Sequence, residues 1–553
     1  MTFPRKSTPI FLLILVGYAV YAGIYIYRTS FVVDGARYFV LFDDAMVSMR
    51  YARNLARGEG LVWNVGGERV EGFSNPLWTV FMVPFHLFPV PASRVSLALQ
   101  ICGGVFFIAG LYFTKKIADE INPGSLVPLL AVLLTALYGP LSTWSLLGME
   151  VSALLLVTGG AVSMAIRGLK TGQFSPALYV LLGVGTLVRM DMAVAFWAIL
   201  VYMAVVDVPN RKRHLLWGLG SYAVFMGGQT LFRLWYYGEL LPNTYYLKVT
   251  GGPPLLILKH GIHVFLKFVW NFNPVLFILP FLLIVIRPEK PALLLAWVFA
   301  GFCAYSLCVG GDAWESKGGA NRFISTGMPL FFVLLADSFK RVGDALGKGA
   351  KPALGGQPAP AGRFFPAGTF GKVALAAFVF VGLVNMNALV GLHSLRHWLL
   401  LERHPFVAGS ERYVRMARVV NEMSTPQATV AVVTAGIIPY FSERPSIDLL
   451  GKNDKVVARG PMHIAPDSQL TDLRPGHMKW DYTYSLATLK PDIVAQLYGG
   501  YNNPETLQYM KGYTKVNLKG FPFFLLDHSP CVLWDAVRRM EGNPCPRPDG
   551  GPE

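Results

Sequence analysis

Two adjacent carboxylates, Asp43 and Asp44, follow directly on an apolar segment in the string LFDDAMVSMRYARNL. A carboxylate at the edge of an apolar phase is desolvated, and desolvation raises its pKa and its basicity. One of the pair can accept a proton while its neighbour orients it or holds a cation. The competing reading is a solvated loop pair or a helix cap, because Ala45 to Arg57 has helical character. Arg50, Arg53, Asn54 and Arg57 recur at the spacing of one helix face. Trp63, Phe73 and Trp78 add aromatic surface suited to sugar rings or to a membrane interface.

Further chemistry-bearing residues follow downstream. Glu150 opens an apolar run, where an ionisable group is costly unless it faces a cavity, so it suits hydroxyl recognition or a helix terminus. Asn243 and Tyr246, with Tyr245, carry amide and phenol groups suited to sugar hydroxyls or to an interfacial belt. Asp312 and Glu315 lie among glycines before Arg322, where they could help hold an acceptor or a divalent cation such as Mg or Mn. Two scattered carboxylates do not make a metal site.

The elements that must position these groups are membrane elements. Of 553 residues, 53% are hydrophobic and 15% charged, and the mean hydropathy is +0.43, more apolar than a soluble core requires. Apolar runs at 10–27, 95–113, 148–166, 214–231, 292–309 and 372–391 approach a bilayer's span, and shorter ones lie at 76–90, 126–142, 176–188, 192–207, 270–286 and 324–337. Together they predict an α-helical polytopic membrane protein with roughly eleven to thirteen transmembrane helices. The net charge of +16 concentrates in short loops such as Arg211 to Arg213 and Lys340 to Lys351, so topology explains it better than nucleic-acid binding. The first apolar segment lacks a cleavage site and reads as an uncleaved helix.

With Arg5 and Lys6 on the cytoplasmic side, the loop 28–75 is external, and so are 143–150, 189–191, 233–256, 310–323 and all that follows 391. Lys115 and Lys116 then require that one short segment within 76–142 fails to span, or that two short helices hide there. The Gly-, Pro- and Ala-rich stretch 345–370 reads as a flexible cytoplasmic loop. The chain thus divides into a transmembrane domain, 1–391, and an external, soluble α/β domain, 392–553, with β-rich runs at 428–434, 445–450, 491–498 and 513–526. Cys531 and Cys545 share that domain and could pair in an oxidising compartment.

The string DDAMVSMRYARNLARGEGLVWNVGGERVEGFSNPLW resembles the first loop of bacterial GT-C glycosyltransferases, in particular the group of terminal arabinofuranosyltransferases and related pilin and envelope sugar transferases. LGME (147–150), RMD (189–191), YYGELLPNTYYLKV (236–249), VGGDAWESKGGANRF (309–323), IDLLGKND (447–454), PGHMKW (475–480) and KPD (490–492) follow in the same order. Two departures stand out: Arg189-Met190-Asp191 where relatives often read Arg-Pro-Glu, and Gly476-His477-Met478-Lys479 in place of Gly-His-Glu-Lys.

The resemblance implies a sugar, arabinofuranose among the candidates, carried on a polyprenyl phosphate, an active site on the external face of the bacterial cytoplasmic membrane, and a catalytic base in the first loop. The acceptor would be an envelope glycan or glycoprotein. Asp43, nearer the membrane helix, is the favoured base and Asp44 its partner. A departing phosphomonoester needs cations rather than a general acid. Arg189, Lys248, Arg322, His477 and Lys479 are placed to clamp it, while Glu150, Asn243, Tyr246 and Asp312 would meet the sugar or acceptor. The rival readings are a transporter or flippase of a lipid-linked sugar and a non-catalytic envelope scaffold; no inverted repeat supports the first.

Overall fold

A computed structural model describes residues 7–315, 321–348, 377, 380–388, 391–464, 470–502 and 504–541. Cys545 and the stretch 349–370 lie outside them. Among the described residues, six helices are long and apolar enough to cross a bilayer, and up to eight if each of two bent pairs is one span. Two shorter apolar helices, Ala177–Val188 and Pro274–Ile286, accompany them. The larger expected number counts every short apolar run as a span; several of these runs are halves of bent helices or are too short to cross alone, and part of the run 372–391 lies outside the described residues.

The segment 76–90 shows why. It breaks into a helix of six residues, Pro76–Phe81, and a three-residue turn, Pro84–His86. Pro84, Pro89 and Pro91 remove amide donors and clash with a continuing helix. The segment therefore does not span, and the 30-residue helix Ala92–Ile121 carries Lys115 and Lys116 to the end of the bundle opposite the first loop. Lys115 pairs there with Asp119 at 2.6 Å.

After the first helix, α1 (Ser7–Thr29), the chain makes a short antiparallel hairpin, β1 (Phe31–Val33) and β2 (Ala36–Tyr38). Asp34 and Gly35 turn it with φ of 49° and 75°, the left-handed pair that a tight hairpin of matching twist demands. Helix α2 (Asp43–Ala56) follows, with Asp43 and Asp44 in its first turn, where the helix dipole favours negative charge. Neither aspartate caps it: the N-cap is Phe42. Ala45 through Asn54 are all buried, because α2 lies between the bundle and the C-terminal domain.

That domain is built on the helix Pro405–Met423 and a mixed five-stranded sheet in the order β4-β3-β5-β7-β6. The strands are β3 (Val430–Val432), β4 (Ser446–Asp448), β5 (Ile493–Val494), β6 (Tyr513–Leu518) and β7 (Phe521–Leu526), one or two in each β-rich run of the sequence. β3 pairs in parallel with β4 and with β5, while β5–β7 and β6–β7 are antiparallel.

The joint between this domain and the first loop is polar and buried. Arg50 donates to the carbonyls of Trp63, Pro439 and Arg444 at 2.5–2.9 Å, and Arg53 donates to the carbonyl of Tyr440 at 2.6 Å and to Glu443 at 3.1 Å. Arg57 pairs with Glu443. The cationic face of α2 thus docks the domain. The aromatic residues behave likewise: Trp63, Phe73 and Trp78 are buried, with the Trp63 and Trp78 indoles donating to the carbonyls of Ala435 and Gly148, so they pack the core and are not exposed as sugar or interface surface. Gly436 is required by the approach of the two parts, since a Cβ there would lie 2.0 Å from the carbonyl oxygen of Asp43.

Candidate functional site

Loops far apart in sequence converge at one end of the bundle. Phe42 N–H donates to Leu147 O at 2.9 Å, Met190 N–H to Ser74 O at 3.2 Å, and Asn243 N–H to Glu71 O at 3.1 Å. They enclose, with the C-terminal domain as roof, a cavity of about 460 Å³. Asp43, Asp44, Arg189, Lys248, Arg322 and His477 all line it, as does Asp312.

The two aspartates have different surroundings. Asp43 accepts the backbone N–H groups of Ile437 at 2.8 Å and Gly436 at 3.2 Å, from the loop that follows β3. Burial, reinforced by the neighbouring Asp44 charge, pushes its pKa up to about 7 against those two hydrogen bonds. Asp44 is half-buried and sits between Lys452 at 2.8 Å and Arg322 at 3.0 Å; these cations together with Lys248 overcome its desolvation and hold its carboxyl well below the usual range. One carboxylate is therefore poised near neutrality and the other is fixed in its ionised form.

The cations are unequally committed. Arg322 opens the helix Arg322–Lys348 and is gripped by both oxygens of Asp312, at 2.7 and 3.0 Å, before it reaches Asp44. Arg189, at the end of Ala177–Val188, pairs with Glu150 and with Asp191, each at 3.0 Å. Lys248 has no ion-pair partner among the described residues, and burial, with Arg322 nearby, lowers its pKa to about 8, which leaves it mostly charged at neutral pH. The imidazole of His477 lies edge-on to Trp314, with ring centroids 5.3 Å apart. Burial lowers its pKa, so at neutral pH it offers a hydrogen bond rather than a charge.

The remaining expected residues stand outside the lining. Glu150 is buried behind Arg189 and also accepts from Asn75 at 2.9 Å, which places it as the support of that arginine. Asn243 donates to the carbonyls of Gly451, Lys452 and Asp454, tying the helix Asn243–Val249 to the loop that carries Lys452. Lys479, fully buried, donates to the carbonyls of Ala458 at 2.7 Å and Tyr246 at 2.9 Å. The Tyr246 ring stacks under Arg459 at 4.3 Å. Their partners are backbone and neighbouring side chains, so their contacts are with the frame of the site.

Several lining residues escaped the sequence reading as individuals: Lys452, Asp191, Tyr413 and Tyr498. Lys452 and Asp191 lie within the GKND and RMD strings, but nothing local distinguishes Lys452 as the partner of a carboxylate 408 positions away. The carboxylates do not fit a divalent cation. Asp312 has both oxygens on Arg322, Asp44 is divided between Arg322 and Lys452, and no group of three His, Cys, Asp or Glu among the described residues could hold a metal.

The fold has counterparts among solved structures. ArnT from Cupriavidus metallidurans bound to undecaprenyl phosphate superposes with a TM-score of 0.53 at 13% identity, covering 94% of this chain and 98% of that one, and its apo form gives 0.52. The chain has the GT-C fold. It is a multi-pass, α-helical membrane protein with a C-terminal domain containing a small sheet. In sequence, a 225-residue stretch is 28% identical to the terminal β-(1→2)-arabinofuranosyltransferase of Mycobacterium tuberculosis, a match over 38% of this chain and about a third (35%) of that protein. Residues 404–534 match the family model of a domain of unknown function, DUF8728.

Proposed function

We propose that this protein transfers a sugar from a polyprenyl phosphate to an acceptor hydroxyl on the external face of the cytoplasmic membrane. The observation that carries this reading is the pairing, in one cavity, of a carboxylate with a pKa of about 7 and a fixed carboxylate ringed by Lys248, Lys452 and Arg322. Asp43 takes the proton of the acceptor hydroxyl, and the freed oxygen attacks the anomeric carbon. The bond from that carbon to the phosphate oxygen breaks, and its electron pair leaves with the polyprenyl phosphate. Lys248 meets the phosphate charge, with the guanidinium groups of Arg322 and Arg189 behind it. No general acid is needed.

Undecaprenyl phosphate bound to ArnT supports a lipid-linked donor, and the name of the mycobacterial relative favours arabinofuranose as the sugar. The external placement is supported by charge: Arg167 and Lys170, Arg211 to Arg213, and Arg287 to Lys290 lie at helix ends remote from the cavity. Purified protein in nanodiscs, given synthetic polyprenyl-phosphate sugars and glycoside acceptors, is expected to release polyprenyl phosphate and form a glycosidic product. Turnover of nucleotide sugars with none of the lipid-linked donors would refute the donor assignment.

A further inference from the structure

The C-terminal domain has a feature that a mere lid would not need. Its three parallel strands are ordered β4-β3-β5, so the chain leaves β3 to pair β4 on one side and later returns to pair β5 on the other. In an open α/β sheet, that reversal opens a crevice at the carboxyl ends of the strands, and ligands bind there. Here the crevice faces the cavity: Thr434 after β3, Leu450 after β4 and Tyr498 after β5 all line it.

Its floor is the candidate base. The loop leaving β3 supplies the Gly436 and Ile437 N–H groups that hold Asp43, and Gln496, from beyond β5, fixes the same loop. The Gln496 side-chain oxygen accepts from Val433 N–H at 3.0 Å and from Thr434 N–H and hydroxyl at 2.8 Å. Tyr413, from the helix Pro405–Met423, lines the same cavity as Asp43. The bundle wall carries Arg189, Lys248 and Arg322. The crevice wall has two cations of its own, Lys452, which is held by Asp44, and Arg474, and adds the hydroxyls and ring faces of Tyr413, Thr434 and Tyr498, the last with Trp480 beside it at 5.2 Å. Asp448, the one acid on the crevice wall, is already satisfied by N–H groups of Leu450 and Asn453.

We infer that the crevice at the carboxyl ends of β3, β4 and β5 is the acceptor subsite, and that it takes a carbohydrate whose reactive hydroxyl is presented to Asp43. The inference rests on the glycosyl-transfer reading above. Hydroxyl and aromatic groups suit sugar rings, and Asp43, held by the loop leaving β3, forms the floor on which an acceptor hydroxyl in the crevice would rest. Donor and acceptor would then approach from opposite walls, which is the arrangement an attack in line with the departing phosphate requires.

The test separates the two substrates. The donor and acceptor pair turned over by the wild-type chain is chosen from synthetic polyprenyl-phosphate pentoses and hexoses with octyl glycosides as acceptors. Tyr498→Ala and the milder Tyr413→Phe are expected to raise the acceptor KM about tenfold, the scale of one lost hydrogen bond or stacking contact. The donor KM and the Kd for polyprenyl phosphate should stay within about twofold of wild type. Unchanged acceptor KM in both variants, or a rise in the donor KM instead, overturns the subsite while leaving transfer intact. No product from any pair by wild-type protein that still binds polyprenyl phosphate sinks the transfer reading, and this inference with it.

Discussion

The two ends of α2 carry the same kinds of residue to different ends. At its first turn, Asp43 and Asp44 point charge into a cavity among Lys248, Arg322 and Lys452. Two turns on, Arg50, Arg53 and Arg57 direct charge onto carbonyls and Glu443 of the C-terminal domain. Along one helix of fourteen residues and its C-cap, Arg57, the difference between reaction and docking is set by what packs opposite. A charged group in a void can act on a ligand; a charged group against backbone carbonyls holds two parts of the protein together.

The contrast is broken most directly by exchanging the readouts. Asp43→Asn should cut turnover by about a hundred- to ten-thousand-fold, the range of general-base catalysis, without lowering the melting temperature. Arg50→Ala should do the reverse at first: it strips hydrogen bonds from buried carbonyls and destabilises by about 3 kcal/mol, with the donor KM of the surviving folded protein unchanged. Thermal unfolding beside steady-state kinetics on both variants decides the matter. An Arg50 variant that stays stable but loses donor affinity would place that guanidinium in the site.

The next effect is one of pH. Asp43 acts as a base only when ionised, and its pKa is about 7, so kcat/KM should climb about tenfold per unit below that value and level off above it. Asp44→Asn removes the neighbouring charge that helps keep Asp43 protonated, so the midpoint of any residual activity should move to lower pH. A midpoint unmoved from wild type would mean that another group governs the profile. The smallest effect is expected at Lys479→Met. Its ammonium bonds carbonyls of the frame, so the donor KM should change by no more than about twofold, with some loss of melting temperature. A tenfold rise would show that it reaches the phosphate after all.

Much of the candidate site was legible in residue type, in hydropathy and in the motifs shared with the GT-C group, because membrane proteins confine their polar motifs to loops. Asp43, Asp44, Arg189, Lys248, Arg322, His477 and Asp312 were each singled out in the sequence as lying in loops on one side, and they share one cavity. What could not be read was each residue's partner. Arg322 is clamped by Asp312, Arg189 by Glu150 and Asp191, and Asp44 by a lysine from another domain. Those pairings decide which cations are left for a ligand, and they depend on contacts across hundreds of residues. Glu150, Asn243, Tyr246 and Lys479 show the same limit, since a polar group at a loop can face a ligand or support its neighbours.

The sequence by itself determined that the chain lives in a bilayer, that its C-terminal part has the alternating β-rich and helical runs of an α/β domain, and that two adjacent aspartates lie in the first loop after a membrane helix. These properties follow from local composition and from periods of a few residues, which the solvent reads directly. The tertiary structure alone decided that 76–90 turns back rather than spans, that the arginines of α2 dock a domain, and that β3 sends its loop down onto Asp43. It also set the two neighbouring aspartates apart in acidity. Burial and the charges within a few ångströms fix those properties, and both are settled only when distant segments pack together.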